Sequence, residues 1–111
     1  MRVGILADIH ANKYALWTVL EDAEAQRVRR FWFLGDAIGY GPHPIEALQF
    51  VRDRAGPRSW VPGNHEAILL GELLPEGATE DARRALQLNQ LEIESRRPEL
   101  MADPLTNRLH G

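Results

Sequence analysis

Three short apolar runs, each cut off by residues able to bind a metal or move a proton, constrain this chain more than any other feature. Val3 to Leu6 runs into Asp8-x-His10, Phe31 to Leu34 runs into Gly35-Asp36, and Trp60-Val61-Pro62 runs into Gly63-Asn64-His65-Glu66. Turns need glycine, proline, asparagine or aspartate for their backbone; they do not need carboxylates and imidazoles gathered behind successive strands. The stretches between the runs have helical patterns. Tyr14 to Gln26 carries Leu16, Leu20 and Ala23 at i, i+4, i+7, with Trp17 and Val19 widening the stripe and Asn12 as a cap. Arg27, Arg29 and Arg30 follow at the negative end of its dipole. Pro44 opens a helix through Ala47, Leu48 and Val51 that Gly56-Pro57 ends, and Arg58 to Val61 returns as a third strand.

Strand, helix, strand, helix, strand at this spacing requires right-handed parallel crossovers. The expected fold class is α/β: a three-stranded parallel βαβαβ sheet with flanking helices, its continuous apolar strands buried on both faces. After His65, Ala67 to Leu70 continues a short helix that Gly71 or Pro75 stops. Thr79 caps a longer one from Glu80 to about Ser95, with Ala82, Leu86 and Ile93 on its apolar side. Pro98 and Pro104 punctuate an irregular tail. At 111 residues this is one domain, 1–111, with the motifs in 1–70, a helical part in 71–97 and the tail in 98–111.

Composition removes several function classes. A 44% hydrophobic and 26% charged chain is an ordinary globular one, and a net charge of −3 gives no reason to expect a nucleic-acid partner. Lys13 is the only lysine among 13 basic residues, and the arginines form no clustered face. With no cysteine, disulfides, thiolate metal sites and a cysteine nucleophile are excluded, so a metal must use His, Asp, Glu or Asn. The amino-terminal apolar run is too short for a signal peptide and no segment reaches the length of a membrane span. The expected location is cytoplasmic, without a membrane partner.

In open parallel sheets ligands bind outside the carboxyl ends of the strands, where all three clusters fall. If the strand conformation persists to His10, alternation puts Asp8 and His10 on one side, able to grip one ion. Asp36 can bridge two cations held ~3.5 to 4 Å apart, with Asn64 offering its amide oxygen to the second. His65 is then the natural proton donor to a leaving alkoxide. Gly35, Gly39 and Gly63 let backbone approach closely. The innocent readings are that Asn64 caps a helix and Glu66 favours its positive end. Tyr40 and His43 are read as exposed loop residues.

Asp8-x-His10, Gly35-Asp36-x-x-Gly39 and Gly63-Asn64-His65-Glu66, in this order, resemble the amino-terminal half of the calcineurin-like metallophosphoesterase family. The flanking Asp8-Ile9-His10-Ala11-Asn12 and Leu34-Gly35-Asp36-Ala37-Ile38-Gly39-Tyr40-Gly41-Pro42 are similar to its bacterial branch related to diadenosine tetraphosphatases and Ser/Thr phosphatases. The resemblance implies half of a metallophosphoesterase sandwich and in-line attack of a metal-activated hydroxide on a phosphate ester. It makes Asp8, His10, Asp36 and Asn64 metal ligands and His65 catalytic. Asn12, Gly35, Gly63 and Glu66 become substrate-binding or supporting residues. The implied cofactors are two divalent ions, Mn, Fe, Zn or Mg, and the substrate a phosphate-ester small molecule or nucleotide. The Gly-Asp loop lacks the arginine of the classical Ser/Thr phosphatases, which counts against a phosphoprotein substrate.

The family's later Gly-His-x-His element is missing, which leaves open whether one ion or two are held and whether activity is full, weak or absent. His110, followed by Gly111, is a candidate for one further ligand. The alternatives are a non-catalytic metal- or nucleotide-binding module and a regulatory protein that uses the half-fold as an interaction surface. A half sandwich exposes an edge and an apolar face, and a homo-oligomer is expected.

Overall fold

In a computed structural model of the protein, residues 2–55, 59, 61–69 and 78–101 are described. Strands β1, Val3–Leu6, and β2, Arg30–Phe33, pair in parallel, Val3 beside Arg30 and Leu6 beside Phe33. Helix α1, Lys13–Ala25, is the crossover between them. Its first turn is capped by Asn12, whose side-chain oxygen accepts from the Ala15 N–H at 3.0 Å. Helix α2, Pro44–Phe50, starts on the proline, which has no N–H to leave unsatisfied, and widens into a π-helical turn over Val51–Ala55. Helix α3, Asn64–Leu69, begins on Asn64 itself. Helix α4, Glu80–Arg96, is capped by Thr79, which accepts from the Ala82 N–H at 3.1 Å.

The expected third strand, Arg58 to Val61, falls partly outside the described residues, and the regular sheet among those described has two strands. Two flanking residues still pair with β2. The Phe33 N–H donates to the Ser59 carbonyl at 2.7 Å, and the Val61 N–H donates to the Phe33 carbonyl at 3.0 Å. Bonds to residues on either side of one partner are those of a parallel neighbour.

The core lies on one face of the sheet. Phe31 and Phe33 alternate inward and join Leu16 of α1, Leu48 of α2, and Leu86 and Ile93 of α4 in a single cluster. Leu100, at the start of the stretch read as a tail, is completely buried in the same cluster. Residues 102–111, His110 included, lie outside the described residues.

Burial on both faces is not what the structure shows. Ile5, Trp32 and Leu34 are 59%, 47% and 54% exposed, so the second face is open among the described residues. A continuous apolar run reports two apolar faces; it cannot report whether anything covers the second. The stripe of α1 is likewise narrower than its sequence suggests, with Trp17 and Val19 exposed and Leu16, Leu20 and Ala23 facing the core.

Two neighbours of similar apolar character thus sit on opposite faces. Phe33→Ala is expected to lower the unfolding free energy by ~3–5 kcal/mol, whereas Trp32→Ala costs about 1 kcal/mol or less. Urea denaturation of both variants checks this, and equal losses would contradict the one-sided core.

Candidate functional site

Beyond the sheet, the loops leaving β1 and β2 stay laced together. The Leu34 N–H donates to the Leu6 carbonyl at 2.8 Å, and the N–H groups of Asp8, His10 and Ala11 donate to the carbonyls of Gly35, Asp36 and Ala37 at 3.0, 2.9 and 2.7 Å. The backbone here is not the extended continuation expected. Asp8, His10 and Ala11 have φ of 57°, 49° and 55°, and Asp36 has 61°. Left-handed backbone, which Asp and His tolerate better than most residues, turns Asp8, His10 and Asp36 toward one another where a pleated strand would not continue.

Asp8, His10 and Asp36 are brought together. Each offers a ligand atom within 4.8 Å of the others, with His10 Nε2 3.7 Å from Asp8 Oδ1. The Nδ1 atoms of His10 and His65 face the Ile38 carbonyl at 3.2 and 3.0 Å. A carbonyl only accepts, so each Nδ1 carries its hydrogen and each Nε2 is left to face other groups. The two imidazoles lie 4.8 Å apart between centroids, and the Tyr40 ring lies 4.9 Å from both.

The third cluster docks on the second. Asp36 Oδ1 accepts from the His65 N–H at 3.0 Å. Gly63 packs so closely on the Asp36 carboxylate that a Cβ there would overlap it, and a Cβ on Gly39, at φ 91°, would overlap the His65 ring. Only glycine fits at either place. Gly35 packs its backbone against Gly63. Asn64 opens α3 as an exposed residue beside this contact.

Glu66 is completely buried. Its Oε1 accepts from the N–H groups of Asp36 and Gly63 at 2.7 and 2.8 Å, and Oε2 from that of Ile38 at 3.3 Å. Burial pushes its pKa up against the three N–H groups, which hold it down. Glu66 therefore binds the loops to each other, a task beyond favouring a helix end.

The side-chain oxygen of Asn12 caps α1, as its place before the helical pattern predicts. Two loop residues depart from the sequence reading. His43 is half-buried: its Nδ1 accepts from the Lys13 N–H at 3.3 Å and its ring stands edge-on to Tyr14. Tyr40 is exposed as expected, yet packs on both site histidines. Sequence reading missed Asn89 of α4, which is buried and bonds the Gly39-Tyr40-Gly41 loop. A signal existed: Ala82, Leu86, Asn89 and Ile93 share one helical row, and an amide in an apolar row needs a partner.

Three kinds of similarity bear on this site. The family model for calcineurin-like phosphoesterases matches residues 1–105. An uncharacterized protein of Methanocaldococcus jannaschii is 36% identical over 70 residues, covering 63% of this chain and 28% of that protein. A symmetrical bis(5'-nucleosyl)-tetraphosphatase of Psychromonas ingrahamii is 34% identical over 71 residues, covering 63% of this chain and 26% of that protein. The crystal structure of a metallophosphoesterase from Sphaerobacter thermophilus matches with a TM-score of 0.68 and 38% identity, over 90% of this chain and 39% of that one. The chain thus spans less than half the length of each of these relatives. With a family match running through all three strand-end clusters and a solved fold overlaying most of the chain, the protein belongs to the calcineurin-like phosphoesterase family.

Proposed function

We propose that the chain carries a metal-dependent phosphoesterase centre that hydrolyses phosphate esters, nucleotides among them. The observation that carries this is the convergence of Asp8, His10 and Asp36 within 4.8 Å at the ends of two parallel strands. Two carboxylates and an imidazole are a donor set that suits Mn, Fe, Zn or Mg. In this reading Asp8, His10 and Asp36 would hold one ion, and Asp36 with Asn64 a second. When bound, such ions polarise a phosphate and acidify a water.

The chain's own groups do the rest. Asp36 has one oxygen occupied by the His65 N–H, which fixes the carboxylate's direction. His10 is oriented by Ile38 so that Nε2 faces Asp8. His65 is held by the same carbonyl through Nδ1, which leaves Nε2 toward the site, where the imidazolium form would give its Nε2 proton to a leaving oxygen and the neutral form would take one up. The nucleotide substrate draws support from the tetraphosphatase name of the Psychromonas relative. We further propose that copies associate through the open face, where Ile5 and Trp32 stand opposite each other and, with Leu34, have exposed apolar side chains.

Mn-dependent hydrolysis of an aryl phosphodiester is expected. Asp36→Asn should abolish it, and His65→Ala should lower kcat by ~10²–10⁴-fold while metal content by elemental analysis stays unchanged. Absence of turnover with all four metals overturns the enzyme reading.

Glu66→Gln replaces the acceptor facing the Ile38 N–H with a donor. It is expected to lower stability by ~1–3 kcal/mol and activity with it, checked by thermal unfolding and by initial rates.

In sedimentation, the chain should run larger than a monomer and Trp32→Glu should return it to one. A monomeric wild type contradicts the association.

A further inference from the structure

The geometry points to Tyr40 as the aromatic wall that takes a nucleobase attached to the bound phosphate, and to Asn89 as the residue that positions it. This inference rests on the phosphoesterase reading of the site. Tyr40 stands between two glycines at φ 63°, a left-handed conformation unusual for a bulky side chain. Strained backbone of this kind persists only where its surroundings hold it, and it clusters at functional sites.

Asn89 supplies the hold. From α4 its Oδ1 accepts from the Gly39 N–H at 2.7 Å and its Nδ2 donates to the Gly41 carbonyl at 2.9 Å, so one amide grips the chain on both sides of Tyr40. The donor on one side and the acceptor on the other fix which way the amide points. The Gly41 N–H also donates to the His10 carbonyl at 3.0 Å, locking the loop to the metal-ligand loop.

The ring so placed is 60% exposed although it contacts both His10 and His65. Among the described residues its hydroxyl makes no hydrogen bond, and its outer surface is covered by nothing. Core packing does not explain an aromatic ring held this way. A phosphate bound at the Asp8, His10 and Asp36 group carries its substituent past the two imidazoles, and Tyr40 is the aromatic surface beside them. Stacking is tolerant of base identity because every base has a π-face. Tyr40 would therefore favour nucleotides as a class over sugar phosphates.

The test is calorimetric titration of the full chain, loaded with Mn, with AMP and with ribose 5-phosphate, which share the phosphate and the sugar but not the base. AMP is expected to bind about tenfold or more tightly than ribose 5-phosphate. Tyr40→Phe should keep that preference. Tyr40→Leu should remove it with ribose 5-phosphate affinity unchanged. Asn89→Leu, in a chain shown folded by circular dichroism, should remove the preference by lowering AMP affinity more than ribose 5-phosphate affinity. Should that variant not fold, Asn89→Asp, which keeps the acceptor for Gly39 and loses the donor to Gly41, is read in its place.

A preference that survives in Tyr40→Leu overturns the wall, and one that survives in the folded Asn89 variant overturns the positioning. Ribose 5-phosphate binding with no gain for AMP overturns this inference alone, whereas binding of neither ligand overturns the phosphoesterase reading and this inference with it.

Discussion

The carboxylate of Glu66 accepts from backbone N–H groups at Asp36, Ile38 and Gly63, which belong to two different loops. Those loops carry the bridging candidate Asp36, the Ile38 carbonyl that orients both histidines, and the glycine that lets α3 approach. His65, the residue before Glu66, bonds the same two residues, Asp36 through its N–H and Ile38 through its ring. A buried carboxylate without such partners would cost several kcal/mol, on the order of an unpaired ion. With three donors it becomes a fixed acceptor that defines the relation of the two loops. The upward push of burial on its pKa and the downward pull of the N–H groups are two views of the same balance.

Around that anchor the backbone is held in conformations it would not adopt alone. Asp8, His10, Ala11, Asp36 and Tyr40 all have positive φ, and among the described residues the only other non-glycine case is Arg27, at the end of α1. Each left-handed residue costs of order 1 kcal/mol. The lacing of Asp8, His10 and Ala11 to the second loop, and of Gly39 and Gly41 to Asn89, offsets that cost. The candidate ligand atoms therefore converge through strained turns supported from outside, and α4, which contributes no candidate ligand among the described residues, is part of the support.

The same economy of structure leaves one face of the sheet bare. Phe31 and Phe33 take the helices, and Ile5, Trp32 and Leu34 take none among the described residues. The relatives span more than twice this chain's length, and the candidate ligands gather at the strand ends.

Much was legible in the sequence because it is local. Short apolar runs, the helix caps Asn12 and Thr79, and Pro44 at a helix start report backbone preferences that act over a few residues. The ordered clusters at the strand ends report chemistry that turns do not require, and they identified the family whose model matches residues 1–105. Other features were beyond that reach. Whether Asp8 and His10 meet by pleating or by left-handed turns, whether Glu66 faces solvent or three N–H groups, and which partner Asn89 finds 50 residues away are set by long-range hydrogen bonds. An apolar strand shows that it has two faces to bury, and only the packed structure shows which is covered. The sequence by itself determined the elements and the kinds of side chain at their ends, because those are local energies. Tertiary structure alone decided their distances and orientations, because buried polar groups must find partners wherever the fold brings them.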